Sequence, residues 1–218
     1  MNGRSRAPRA VQGFVKRLLD IVGSLVGLIV TSPAIAAIAL AVKLDSPGPA
    51  FFAQTRVGLN RRRFTLLKFR TMRTDGDESL HKEYMSELVR GDAGSRLNKE
   101  GDVVYLLDDP RVTSMGAFLR RTSLDELPNL VNVLRGEMSL VGPRPPIPYE
   151  VEMYDQRSLG RLAVKPGLTG LAQVRGRGSL TFKEIVELDL EYIESRSLLL
   201  DLRILFETIP TVLGRRGV

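Results

Sequence analysis

Residues 21–42 read IVGSLVGLIVTSPAIAAIALAV, 22 positions without a charge. A straight helix of that length is about 33 Å long, enough to cross the hydrocarbon core of a bilayer. The simplest reading is one transmembrane helix or an uncleaved signal anchor. A cleaved signal peptide fits less well, because the run is long and Lys43-Leu44-Asp45 makes a poor small-residue cleavage site. Two features oppose a plain crossing. Pro33 sits mid-run and removes a backbone donor, which kinks a helix, while Thr31 and Ser32 beside it can satisfy the freed carbonyls in lipid. Lys16 and Arg17 precede the run, and Lys43, Arg56, Arg61, Arg62, Arg63, Lys68, Arg70 and Arg73 follow it. The positive-inside bias puts both flanks in the cytoplasm, so the helix would enter and leave on one side. The residues alone leave spanning and re-entrant helices both open.

The rest of the composition narrows the chemistry. The chain has 218 residues, one domain with an anchor, and 43% apolar residues, ordinary for a globular protein with a substantial core. With no cysteine, disulfides, thiolate nucleophiles and zinc-thiolate sites are excluded. The single histidine, His81, lies in a polar stretch, so Ser-His-Asp hydrolases and His-rich metal sites lack their parts. Acid, base, nucleophile and metal ligand fall to Asp, Glu, Lys and Arg. Residues 1–73 carry 13 Lys and Arg against two acids, +11, and the remainder carries 19 against 23, −4. A basic front third calls for an anionic partner.

Beyond the apolar run, residues 1–12 read as a disordered basic tail. Asp45-Ser46-Pro47-Gly48-Pro49 ends the helix. Ala50 to Gly58 reads as a strand and turn. Phe64 to Met72 reads as a strand, or a strand entering a loop, which places Lys68 and Arg70 on one face if extended. Residues 74–101 are a polar insertion with a helix around Ser79 to Arg90, and Asp75-Gly76-Asp77 there resembles an Asp-x-Asp metal motif too short to be specific. A helix is expected over Val112 to Arg121, and a second from Ser123 to about Arg135, stopped by Gly136. Met138 to Val141 reads as a short strand. The three prolines around Arg144 make a stiff loop presenting a guanidinium. Leu168 to Val174 reads as a strand or short loop, and Thr181 to Glu194 and Leu198 to Leu213 as amphipathic helices. Core packing is the default for the last helix, with the membrane interface as the alternative.

The densest chemical cluster is Arg120-Arg121-Thr122-Ser123-Leu124-Asp125-Glu126-Leu127-Pro128-Asn129. A purely structural reading is strong, since Ser123 with Glu126 is a capping-box pattern and acids favour a first helical turn. The functional reading uses the same residues. Arg120 and Arg121 can grip a phosphate, one carboxylate can attack it, and the other can hold Mg²⁺. Adjacent helical residues point about 100° apart, which suits two different roles. An enzyme acting on a lipid-borne phosphate needs a membrane anchor; a soluble phosphate enzyme does not.

The ordered motifs KRLLDIVGSLVGL, TSPAIA, DSPGPAFFAQTRVG, KFRTM, DDPRVTSMGAFLRRTSLDELPNLVNVLRGEMSLVGPRPP, KPGLTGLAQV and ELDLEYIESRSLLLDLRIL resemble the bacterial monotopic polyprenyl-phosphate phosphoglycosyl transferases over roughly residues 14–214. The resemblance implies transfer of a sugar 1-phosphate from a UDP-sugar to undecaprenyl phosphate. UMP is released, and the path runs through a covalent phosphosugar-enzyme intermediate. This is the first membrane step of polysaccharide or glycoconjugate assembly. It implies Asp125 as nucleophile and Glu126 as its partner and Mg²⁺ ligand. Arg120 and Arg144 become anion-binding positions, Lys68 and Arg70 substrate-binding positions, and Ser32-Pro33 the break of a re-entrant helix.

The implied fold is mostly helical α+β. It has a re-entrant membrane helix over 13–45 and a cytosolic or interfacial catalytic domain over 46–218 with short strands and amphipathic interfacial helices. The implied place is the cytoplasmic face of the bacterial inner membrane. The implied partners are the UDP-sugar, undecaprenyl phosphate and membrane lipids; no nucleic acid is expected, and a homo-oligomer is left open.

There are departures. Leu171 stands where the family often has tryptophan, the last helices have no tryptophan, and Arg175-Gly176-Arg177 replaces an asparagine-containing run. The longer relatives' four N-terminal membrane helices and extra domain have no counterpart, as in a short form or catalytic part. Two other readings remain. One is a membrane-tethered binding module using Arg61-Arg62-Arg63, a run that a solvated juxtamembrane patch explains equally well. The other is a glycosyl transferase using Asp75-Gly76-Asp77, which would release UDP in place of UMP.

Overall fold

The computed structural model describes residues 9–73, 86, 111–176 and 180–213. His81, Asp75-Gly76-Asp77 and the expected helix around Ser79 to Arg90 lie outside them, apart from a helical Ser86. So do residues 1–8 and Arg177.

The apolar run becomes helix α1, Arg9–Asp45, 37 residues with Pro33 inside. It begins four residues before the expected helix start at residue 13. By length and composition it could cross a membrane. Yet both of its halves are docked on the same domain. In the first half, Lys16 Nζ donates to Asp201 at 2.7 Å and to the Val141 carbonyl at 3.2 Å. The buried Asp20 accepts from Ser139 Oγ and the Leu140 amide, each at 2.9 Å. In the second half, Ile35, Ile38, Ala39 and Val42 pack around Phe69 and Leu119, and Asp45 accepts from the Met115 amide at 3.2 Å. This three-to-four residue spacing is one helical stripe.

Between the docked halves one face still approaches Leu130, 3.1 Å from where a Cβ on Gly27 would stand, but the other face is bare, with Ile29 64% and Val30 71% exposed. The Ser-Pro pair explains how the helix survives there. Pro33 has no N–H for the Ile29 carbonyl, and Ser32 Oγ donates to that carbonyl at 2.8 Å instead. Thr31 Oγ1 serves Gly27 in the same way at 2.7 Å.

Strands β1 (Phe51–Val57) and β2 (Arg63–Phe69) form an antiparallel hairpin in the register Phe52↔Lys68, Gln54↔Leu66 and Arg56↔Phe64. The hairpin turn is left-handed at Asn60 and Arg61, φ 54° and 62°. Helix α2 is Ser114–Thr122, capped by the Thr113 side chain on the Gly116 amide. Gly116 is required by close approach, because a Cβ there would lie 2.0 Å from the Thr71 carbonyl oxygen.

After α2 the chain departs from expectation. A continuous helix from Ser123 to Arg135 does not form. Ser123 adopts the left-handed conformation, φ 55°, and closes α2 by donating its N–H to the Arg120 and Leu119 carbonyls. It therefore cannot also be an extended N-cap, and the capping box with Glu126 is absent. A 3-10 turn, Leu124–Glu126, follows, and then helix α3, Asn129–Arg135, with Pro128 before it. Asn132 ties α3 to β2: its amide group accepts from Leu67 N at 3.1 Å and donates to the Thr65 carbonyl at 2.7 Å.

Strands β3 (Ser139–Val141) and β4 (Gly167–Thr169) pair in parallel. Short helices α4 (Pro148–Glu152) and α5 (Gln156–Leu159) lie between them. The segment read as a strand or loop from Leu168 splits into β4 and helix α6, Leu171–Gly176. Helix α7, Phe182–Ser195, starts with a complete Thr181–Glu184 capping box, and α8 is Leu198–Leu213. Val141, Leu171, Tyr192 and Ile204 join β3, α6, α7 and α8 in one core, while Leu66, Val133 and Met138 join β2 to α3. The buried Arg161–Asp189 pair, 2.7 Å apart, anchors α7, with Tyr154 OH accepting from Arg161 at 2.8 Å.

Candidate active site

The 3-10 turn is positioned by its apolar residues. Leu124 and Leu127 pack against Phe69, Leu119 and Val42, which turns Asp125 and Glu126 away from α1. Lys68 reaches the same place from β2, its ammonium 5.4 Å from the centre of the Phe52 ring. Arg120 arrives from the last turn of α2, with Nε donating to Thr71 Oγ1 at 3.1 Å. Arg144 is exposed on the proline loop after β3. That loop is held from both sides: Gly167 N donates to the Pro143 carbonyl at 2.9 Å and Val57 N to the Pro146 carbonyl at 2.9 Å.

The electrostatics show these groups acting on one another. Burial, and then the neighbouring Glu126 charge, push the Asp125 carboxyl up to about 6, against the opposing pull of Lys68 and Arg120. Burial and the Arg56 charge bring the Lys68 ammonium down to about 8, with Asp125 opposing and Arg120 and Arg144 adding to the depression. The site is thus a strained carboxylate ringed by crowded cations, an arrangement suited to a multiply charged anion.

Of the expected residues, Asp125, Glu126, Arg120, Lys68 and Arg144 come together. Arg70 does not join them. Strand β2 ends at Phe69, so the alternation that would have kept Arg70 beside Lys68 stops one residue short. The buried Arg70 guanidinium donates to the carbonyls of Val42 at 3.3 Å, Ser46 at 2.7 Å and Pro47, closing the C-terminal end of α1. Arg121 is exposed.

Arg56 is the residue that the sequence reading passed over, counting it only as a flanking charge. Buried beside the site, it donates to the Pro145 carbonyl at 2.9 Å and to Gln54 Oε1 at 2.7 and 3.1 Å. Burial, then Arg144, lower its pKa to about 10, against Glu150 and Glu126. The signal was present in the hairpin: Arg56, Gln54 and Phe52 alternate onto the face that carries Lys68.

Two adjacent carboxylates, one pushed up by the other's charge, suit a divalent cation held jointly with substrate phosphates. Among the described residues no group of three or more Asp, Glu or His side chains forms a self-sufficient cage. Asp125 and Glu126 alone offer too few ligands for a divalent cation, so an ion bound there would need oxygens from a substrate to complete its shell.

An apolar helix long enough to cross a membrane, docked on a domain that sets a carboxylate pair among cations, fits the class of enzymes that act on anions at a membrane. The bacterial sugar transferase family matches residues 11–215, and the chain belongs to it. It is a transferase. The exopolysaccharide production protein ExoY of Rhizobium meliloti is 42% identical over 211 residues, 97% of this chain and 91% of that protein. The UDP-glucose:undecaprenyl-phosphate glucose-1-phosphate transferase of Caulobacter vibrioides is 41% identical over 216 residues, covering 94% of this chain and 72% of that protein. The undecaprenyl-phosphate galactose phosphotransferase of Salmonella typhimurium is 43% identical over 204 residues, 94% of this chain but only 41% of the relative.

Proposed function

We propose that this chain moves a sugar 1-phosphate from a UDP-sugar to undecaprenyl phosphate on the cytoplasmic face of the bacterial inner membrane. This would start the assembly of a polysaccharide or other glycoconjugate. The observation that carries the reading is the Asp125 carboxylate set among Lys68, Arg120 and the nearby Arg56 and Arg144. The names of the Salmonella and Caulobacter relatives support the acceptor, and the Caulobacter name the donor.

In the first half-reaction an Asp125 oxygen attacks the phosphorus that bears the sugar. The bond from that phosphorus to the bridging oxygen breaks, and UMP leaves with the electron pair. The product is an aspartyl phosphosugar. In the second, a phosphate oxygen of undecaprenyl phosphate attacks the same phosphorus, and the Asp125 carboxylate is released. Lys68, Arg120 and Arg144 bind and orient the phosphates, and Arg56 holds the Arg144 loop through Pro145. Mg²⁺ held by Glu126 and the phosphates would neutralise charge on the leaving UMP.

The docking of both halves of α1 on one domain supports a re-entrant helix that bends at Ser32-Pro33 and carries the exposed face of its middle into the bilayer. The test of the chemistry is Asp125→Asn with undecaprenyl phosphate and a panel of UDP-sugars. UMP release is expected from the wild type and not from the variant. Wild-type turnover by the variant, or UDP as the nucleotide product, overturns the reading.

A further inference from the structure

A second cavity, of about 270 Å³, opens between the first half of α1, β3, residues 163–165 and the junction of α7 and α8. None of the groups that act on Asp125 lines it. Its charged lining is Lys16, Arg17, Lys165 and Arg196 against Asp20 and Asp201. Both acids are already engaged. Asp20 accepts from Ser139 and the Leu140 amide, and Asp201 accepts from Lys16 at 2.7 Å and from Tyr192 OH at 2.8 Å.

Arg17 donates to the Val133 and Leu134 carbonyls at 2.7 and 2.8 Å, closing α3. Its guanidinium and the Lys165 ammonium converge over Gly136, 3.2 and 3.5 Å from where a Cβ would stand. Lys165 and Arg196 make no hydrogen bond or ion pair among the described residues. Burial, then the Arg17 charge, hold the Lys165 pKa below its ordinary value, against Asp20. An anion entering here would meet two uncommitted cations and relieve a third.

The flanks say which kind of anion. Phe14 on α1 is 72% exposed and Leu199 on α8 is 77% exposed, with Leu18 and Leu202 beside them. The Lys16–Asp201 pair holds these two helices together. Large apolar side chains bordering a cationic cavity suit an amphiphile whose tails run along the helices.

We propose that this cavity seats the phosphate of an anionic membrane phospholipid, gripped by Lys165 and Arg196, with its acyl chains over α1 and α8. The site lies apart from phosphosugar transfer, and its test reads binding rather than turnover. The full chain is reconstituted in nanodiscs of equal phosphatidylglycerol and phosphatidylcholine, and retained lipid is counted by native mass spectrometry.

Preferential retention of phosphatidylglycerol is expected. It should fall about fivefold in Lys165→Gln or Arg196→Gln, and about 25-fold in the double variant. Lys183→Gln, which removes an exposed charge on α7, should retain lipid as the wild type does. The single variants keep the test decisive if the double variant fails to fold. Equal retention by wild type and variants overturns the proposal. So does full displacement of the lipid by millimolar sn-glycerol 3-phosphate, which would assign the cavity to a soluble phosphate ester.

Discussion

Replacing Asp125 by Asn should abolish turnover and yet stabilise the fold at alkaline pH. The Asp125 carboxyl is raised from 3.8 to about 6 by burial and by Glu126. A carboxyl whose folded pKa lies above its unfolded value destabilises the native state when ionised. The penalty is complete above the folded value, and it disappears as the pH falls from about 6 toward 3.8. A shift of this size corresponds to about 3 kcal/mol, and partial solvent contact reduces that to about 2 kcal/mol. In a chain of this length, such a gain raises the melting temperature by about 4–8 °C.

The measurement is thermal unfolding of wild type and Asp125→Asn in the same detergent, without substrate, followed by helical circular dichroism at pH 8 and pH 4. The variant should melt higher at pH 8, and the two should nearly coincide at pH 4. A variant that melts lower at pH 8, or by the same margin higher at both pH values, would refute the picture of a carboxylate strained by its surroundings.

Two further outcomes follow from the site and the helix. The kcat/KM for the UDP-sugar donor should have an acid limb near 6, where Asp125 gains its proton, and an alkaline limb near 8, where Lys68 loses one. Lys68→Arg should lower the plateau and remove the alkaline limb, because a guanidinium stays charged; an unchanged limb would assign it to another group. Because the chain has no cysteine, single cysteines introduced at positions 5 and 62 are clean topology probes. Both should label from the cytoplasmic side, and labelling from opposite sides would exclude a re-entrant α1.

Elements with strong periodicity or clear punctuation were legible in the sequence. The uncharged run gave α1, and apolar periodicity placed the helix that starts at Thr181, where the structure adds a Thr181–Glu184 capping box. The capping-box pattern at Ser123-x-x-Glu126 misled, because one residue cannot be the left-handed end of α2 and the extended start of the next helix. Which role wins is decided by Leu124 and Leu127 reaching Phe69 and Val42, contacts made across the fold. The cations divide for the same reason. Arg56, Arg70 and Lys68 look alike as charges in a basic stretch. Their fates depend on distant partners: Pro145 for Arg56, the end of α1 for Arg70, and Asp125 for Lys68. Spacing along one strand shows a face but not where that face stops.

The same contacts tie α1 to the candidate site. Ile35 and Ile38 of α1 pack against the same Val42, Phe69 and Leu119 cluster as Leu124 and Leu127, the two residues that flank the Asp125-Glu126 pair in sequence. Arg70 fixes the end of α1, and the next residue, Thr71, accepts from Arg120. The position of the second half of α1 therefore bears on the carboxylates and on one of their cations through neighbouring atoms. An enzyme whose acceptor phosphate is confined to the bilayer face must hold its nucleophile at a set height above that face. A soluble domain on a flexible tether would not do this, whereas an anchor that shares a packed cluster with the proposed nucleophile's turn would. On the proposed function, the Asp125-Glu126 pair and the apolar run that precedes it by some eighty residues are in this sense one structural unit.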